Sequence, residues 1–432
     1  MKISGWGCYP IIESTIVRPN SSSSVSQQLL VPGSLIPRGL GRSYGDSTLA
    51  SQVLSTTNLD HFVAFDETRG VLTCEAGVSL AVILASFVPK GWFLPVTPGT
   101  KFVTVGGAIA SDVHGKNHHI DGSFSDHVHS FVLVVADGSS IECSRTAYPE
   151  LFHATCGGMG LTGVIVQATF SLKRILSALI NETVIKADNL QEIFVLFEAH
   201  RKSTYSVAWI DCLASGDALG RSLLMLGEHS QEGGLVAAKN KKITIPFNMP
   251  NVLLNKYSIS AFNALYYNKQ REKISERHVH YDSYFYPLDG LNHWNRLYGR
   301  NGFTQYQFVL PKSAGLEGMT VVLKEISISK RGSFLSVLKA FGPANENYLS
   351  FPMEGYTLAL DFKIEPGLFE LLDRLDSIVL QYGGRIYLTK DVRMSEATFK
   401  QSYIKWPDFV KIRSQYDADK KFQSRQSLRL GI

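Results

Sequence analysis

The 432-residue chain has little cysteine: only Cys8, Cys74, Cys143, Cys156 and Cys212, at spacings that match no metal site. An odd count excludes a fully paired disulfide framework, so buried free thiols are expected. Long apolar runs are absent too. No segment reaches the roughly 20 residues that span a bilayer. The opening Met1 to Trp6 does not start a signal-peptide run, which predicts a cytoplasmic protein with at most peripheral contact with the inner membrane. The net charge of +5 is mild, and without a long basic run nucleic acid is not an expected partner. Two common nucleotide signatures are missing as well. No glycine loop ends in the Lys-Ser/Thr of a Walker motif, and none has the Gly-x-Gly-x-x-Gly spacing and strand-helix context of a Rossmann unit.

What is present is an ordinary globular composition, 44% hydrophobic and 19% charged, in a chain long enough for two cores. Its most informative stretch is Pro37-Arg38-Gly39-Leu40-Gly41-Arg42-Ser43-Tyr44-Gly45-Asp46, followed by Ser47. Closely spaced glycines let successive amide N–H groups converge on an anion, with pyrophosphate the best candidate. Taken alone, the segment reads equally as a surface turn. A second loop changes that balance: Gly99 precedes Thr104-Val105-Gly106-Gly107 and Ser111-Asp112-Val113-His114-Gly115, again rich in glycine and hydroxyls. Two loops, rather than one loop and a helix, would hold the ligand.

Hydrophobic spacing predicts a strand over 70–76, then a helix over 79–90 with Ser79 as N-cap and Gly91 as stop. Strands at 131–136 and near Ile141 flank an Asp137-Gly138 turn, and another covers 162–172. After residue 178 come a helix capped by Asp188 and running to Lys202, strands at 205–213, 222–227, 304–310, 333–339 and 356–364, and a helix over 366–382 stopped by Gly383-Gly384. An antiparallel sheet backed by helices is the simplest arrangement. Residues 229–275, with Lys239 to Lys242, Pro246 to Leu254 and Phe262, Tyr266 and Tyr267, read either as an insertion packed on that sheet or as an apolar, basic flap for a lipid. Adjacent His118 and His119 rarely point to one ion, so no metal is expected.

The paired loops resemble those of the vanillyl-alcohol-oxidase type of FAD-binding flavoenzyme. With Gly5-Trp6-Gly7, His114 to His119, Gly157 to Gly163, Gln305-Tyr306-Gln307-Phe308, Phe341-Gly342-Pro343 and Thr389-Lys390-Asp391, the chain resembles, in order and over nearly its whole length, the oxidase subunits of decaprenylphosphoryl-β-D-ribose 2'-epimerase. The resemblance implies an α+β, two-domain flavoenzyme with an antiparallel-sheet substrate domain: an FAD-binding domain over 1–178, a substrate domain over 179–384, and a return to the FAD domain over 385–432. It implies oxidation of the 2'-hydroxyl of a polyprenylphosphoryl-β-D-ribose with hydride transfer to flavin N5, and a separate NAD(P)H-dependent reductase to complete epimerisation. An external acceptor would reoxidise the flavin. An aldonolactone or alditol oxidase acting on a free sugar is the alternative.

By the same resemblance, FAD contacts fall on residues 37–47, Gly99, Thr104 to Gly107, Ser111 to His114, Ile165 and Tyr387. Lys390 and His114 are the catalytic candidates, since alcohol oxidation needs a group that takes or polarises the hydroxyl proton. Taken without the resemblance, Lys390 is a surface lysine paired with Asp391 and His114 a structural residue. Substrate contacts are expected from Tyr44, Lys116, Trp209, Gln305, Gln307, Lys339, Phe341 and Lys390. Gln305 and Gln307 share one strand face, which is either a pocket wall or a solvent side, with Tyr306, Phe308 and Leu310 on the core face. Arg42 stands where aldonolactone oxidases carry a histidine bonded to FAD, and guanidinium cannot form that bond, so FAD is expected to be non-covalent. Ala359 stands where mycobacterial members carry a cysteine.

Overall fold

The structure, a computed structural model, describes residues 1–238, 243–250 and 252–432. Lys239 to Lys242, singled out in the sequence, lie outside the described residues. Among the described residues no helix is long and apolar enough to cross a membrane.

The N-terminal part is built on two sheets. Thr15–Val17 and Ile36–Arg38 flank Gln52–Ser55 in a small parallel sheet, while Val71–Glu75, Val128–Val134 and Val164–Ser171 form the centre of a five-stranded antiparallel sheet. The small parallel sheet has no counterpart in the sequence reading, because strands of three or four residues carry no usable periodicity. The predicted helix is Leu80–Phe87, capped by the Ser79 side chain, with a single 3-10 turn carrying it to Gly91 at φ +81°. Asp137-Gly138 makes the turn into Ser140–Ser144.

The second part is one eight-stranded antiparallel sheet. Its spatial order is Ile274–His280, Leu179–Ala187, Ser222–His229, Tyr205–Ile210, Ser336–Phe341, Gly355–Lys363, Phe303–Pro311, Arg385–Ile386. The sheet takes in Arg385–Ile386 before the chain crosses back to the N-terminal part. One face is covered by helices Leu190–Ala199, Gly315–Ser329 and Leu368–Gln381: Gly315 abuts Tyr356 and Phe194, and Gly318 abuts Leu310. Tyr306, Phe308 and Leu310 are buried under these helices and Gln305 and Gln307 take the opposite face, as period-two alternation requires.

Two local readings need correction. Asn189, not Asp188, caps the helix after Ala187: its side-chain Oδ1 accepts the Glu192 N–H at 3.0 Å, and the helix ends at Ala199. The Asp188 carboxylate instead accepts the Tyr267 hydroxyl at 2.8 Å. The strand expected from residue 333 begins at Ser336, because the Ser333 hydroxyl bonds locally to the Leu335 carbonyl. Within 229–275, Asn255 caps the helix Lys256–Lys269, which packs on the sheet through Tyr266, 4.8 Å from the Trp209 ring. That helix also exposes Tyr257 and Leu265.

Candidate active site

A cavity of about 530 Å³ runs from the glycine loops to the face of the eight-stranded sheet opposite the three covering helices. At one end lie Pro37 to Tyr44, Ser47, Gly99, Thr104, Gly106, Gly107, Ser111, Val113, His114, Ile165 and Tyr387. The two loops touch: a Cβ on Gly39 would come within 2.2 Å of Thr104 Oγ1. Thr104 in turn caps Val105–Ala110, accepting the Gly107 N–H at 3.1 Å. Arg38 is fixed by the Ser4 carbonyl at 2.6 Å and by Thr48, and the Arg42 guanidinium lies 4.0 Å from the Trp6 ring centre.

Four residues of the predicted cofactor set stand behind this wall rather than on it. Gly45 packs so closely on the Asp391 carbonyl that a Cβ would sit 1.6 Å from its oxygen. Asp46 pairs with Arg429 at 2.8 Å, and Arg429 also holds Asp391 at 2.9 Å. Val105 is fully buried in the core. The fully buried Asp112 accepts from Asn345, Asn347 and Ser350 at 2.8, 2.9 and 2.6 Å, tying the second loop to the 345–350 segment.

The cradle fits a dinucleotide flavin. It is long, glycine-lined and partly apolar, and it contains two buried atoms without hydrogen-bond partners, Ser43 Oγ and His114 Nδ1. Buried polar atoms of this kind are normally satisfied.

At the other end the sheet supplies Gln305, Gln307, Ala359, Lys339, Val337, Val207, Trp209 and Met225, joined by Lys116, Tyr266 and Lys390. Each glutamine is held from below by the paired strand: Gln305 donates to Asp361 at 2.5 Å and Gln307 to Thr357 at 3.2 Å. Gln307 Nε2 also lies 3.1 Å from His114 Nε2. Phe341 is one layer back, its ring 4.7 Å from His114. His118 and His119 face elsewhere, toward the Gly342 N–H and the Ser203 carbonyl.

Burial governs the electrostatics. Desolvation pushes Lys390 down to about 7, Lys116 to about 7 and Lys339 to about 8. His114 is driven well below its usual value by burial, then by Lys339, His118 and Lys390. Asp361 is raised to about 7 by burial, and Lys390 opposes that rise; in return Asp361 opposes the fall of Lys390, so the two titrate together. The Lys390 ammonium lies 4.0 Å from the Tyr44 ring centre.

Sequence reasoning missed Asp361, Thr357, Asp289 and the Glu182–Arg277 pair. A signal existed for the first two: Thr357, Ala359 and Asp361 alternate within an apolar strand, on the face that carries the two glutamines next door.

Residues 15–144 match the FAD binding domain family. Over 416 residues the chain is 37% identical to the decaprenylphosphoryl-beta-D-ribose oxidase of Mycolicibacterium smegmatis, covering 92% of this chain and 89% of that protein. It is 31% identical over 361 residues to an uncharacterized protein in the mprA 5' region of Streptomyces coelicolor, covering 80% of this chain and 97% of that one. L-gulonolactone oxidase 5 of Arabidopsis thaliana is 35% identical over 130 residues, 28% of this chain and 22% of the plant protein. Coverage of the first kind takes in both loops, the sheet and the lysine segment alike, and so the chain belongs to the decaprenylphosphoryl-β-D-ribose oxidase family of FAD-binding oxidoreductases.

Proposed function

We propose that the protein oxidises the 2'-hydroxyl of a polyprenylphosphoryl-β-D-ribose to the 2'-keto sugar with dissociable FAD, the first half of epimerisation to the arabinose epimer. One juxtaposition carries this reading. Lys390, Gln305, Gln307 and His114 meet in a cavity whose far walls are Val207, Trp209, Met225, Val337 and Tyr266. A free sugar needs only the polar set, whereas a lipid-linked sugar uses both.

Bound FAD supplies the acceptor for the hydride that leaves C2'. The residues do the rest. Thr357 donates its hydroxyl proton to the Phe308 carbonyl at 2.7 Å, so its oxygen accepts one Gln307 amide hydrogen. The other amide hydrogen then points at His114 Nε2, which must accept, leaving the imidazole proton on Nδ1. Neutral His114 therefore keeps a donor, Nδ1–H, that no protein group accepts. Lys390, partly free base near neutrality, accepts the hydroxyl proton at Nζ as the C2' carbonyl forms, and Asp361 stabilises the resulting ammonium. Gln305 and Gln307, each immobilised from behind, fix the sugar's orientation.

Residues 1–178 and 385–432 act as the cofactor domain and 179–384 as the substrate domain. Arg42, stacked on Trp6, leaves FAD dissociable. A separate nicotinamide-dependent reductase returns hydride to the other face of the planar ketone. The protein works in the cytoplasm, with the exposed Phe247, Val252, Leu253, Tyr257 and Leu265 as its contact with the inner membrane surface.

The test is anaerobic mixing of the flavin-loaded protein with a short-chain polyprenylphosphoryl-β-D-ribose, beside free sugars and aldonolactones. Bleaching of the oxidised-flavin band by the phosphoprenyl ribose alone supports the reading; bleaching only by a free sugar or lactone overturns it. Acid precipitation should release all of the yellow colour, and retained flavin would refute the non-covalent assignment.

A further inference from the structure

Resting on the function just proposed, we infer that Lys116 and Lys339 form the subsite for the donor's phosphodiester, and that the adjoining strip of Val207, Trp209, Met225 and Tyr266 takes the first prenyl units.

The geometry begins with Val207. The Lys116 carbonyl accepts the Ser206 N–H at 2.9 Å, placing Lys116 beside the Tyr205–Ile210 strand. On the next strand, Ala208 pairs with Leu338 and Trp209 with Val337, a register that sets Lys339 opposite Val207. Both lysines thus flank one apolar position of the cavity wall.

Their charge is unbalanced. The two carboxylates that line the cavity are already engaged: Glu182 with Arg277 at 2.5 Å, and Asp289 with Thr100 Oγ1 at 2.8 Å and the Lys101 N–H at 2.9 Å. Lys116 is positioned by the Tyr284 carbonyl and by that residue's ring, 4.0 Å away. Among the described residues the Lys339 ammonium has no hydrogen-bond or ion-pair partner. A half-buried ammonium without a counter-charge is costly unless a ligand brings one.

Substrate chemistry supplies that charge in the right place. In a ribosyl phosphodiester the phosphorus is joined through one oxygen to C1', next to the reacting C2'. An anion that remains charged across the working pH range must therefore sit close to Lys390. Lys339 pairs across the strands with Thr357, the residue that holds Gln307, and it is close enough to lower the proton affinity of His114, Lys390 and Lys116 alike. From there the prenyl chain has an apolar path across the strands, ending at Glu182 and Arg277.

The test uses two donors, a short-chain polyprenylphosphoryl-β-D-ribose and its uncharged methylphosphonate counterpart, with anaerobic flavin reduction as readout. A second assay measures calorimetric binding of the polyprenyl phosphate without sugar. Lys339→Met is expected to lose about 30-fold in kcat/KM on the charged donor and several-fold less on the neutral one, with Lys339→Arg restoring much of the difference. Lys116→Met should act in the same direction, and both Met variants should weaken polyprenyl phosphate binding. Equal losses on the two donors, or unchanged phosphate binding, would overturn the subsite. If wild-type protein oxidises neither donor yet binds polyprenyl phosphate in a Lys339-dependent way, the subsite stands and the proposed oxidation falls.

Discussion

The two ends of the cavity, assigned above to cofactor and to substrate, are built by opposite means. The cofactor end is built from backbone: Gly39, Gly99, Gly106 and Gly107 contribute by lacking side chains, and its charged members Arg38 and Arg42 are tied up by Ser4, Thr48 and Trp6. The substrate end is built from side chains on a rigid sheet, with three lysines held in surroundings that weaken their hold on a proton. A cradle of the first kind suits a ligand that must be bound and left unreacted at its phosphates. A chamber of the second kind suits one that must exchange protons and charge. The contrast predicts that substitutions at the two ends fail differently, in affinity at one and in rate or pH dependence at the other.

The largest effect should come from the lysine segment. Lys390→Ala should slow anaerobic flavin reduction by about 10³-fold while leaving FAD content near wild type. Lys390→Arg should not rescue it, because guanidinium stays protonated. Loss of FAD from Lys390→Ala would erase the distinction between the two ends.

Gly39→Ala sharpens the same comparison from the other side. The new Cβ would press on Thr104 Oγ1, which cannot yield without uncapping its helix. A cost of about 2 kcal/mol, or about 30-fold in FAD affinity, is expected by titration of the apoprotein, with a much smaller loss in rate at saturating FAD.

Smaller effects should appear in pH dependence and lipid selectivity. Flavin reduction should rise with pH through about 7 as Lys390 becomes free base. The Asp361 carboxylate favours the ammonium, so Asp361→Asn should move this limb to lower pH; an unmoved limb would remove Asp361 from the account. Trp209→Ala, which deletes the wall against Tyr266, should raise KM for the lipid-linked donor about tenfold, with less effect on kcat.

How much of this was legible in the chain follows from the same contrast. Glycine clusters announce a cradle because few other residues allow such close approach, and alternating glutamines announce a strand face because side chains alternate by geometry. Both are local rules. The placement of Asp361 beneath Gln305, or of Lys339 opposite Val207, depends on which strands become neighbours, and antiparallel register between strands so far apart in the chain leaves no local mark. Asn189 was missed for a smaller reason: next to Asp188, two equally good capping residues compete, and the Tyr267 hydroxyl engages the aspartate.

The Arg429 clamp bears on how the protein is made. Asp46, beside the first loop, and Asp391, beside the candidate proton acceptor, are held together by a residue synthesised after both. During translation the cradle can collapse around its own small sheet, but Asp46 and Asp391 lack their shared counter-charge until the helix Arg425–Leu430 has been made. Flavin loading before that moment would meet a chamber whose two acidic supports lack the guanidinium that joins them.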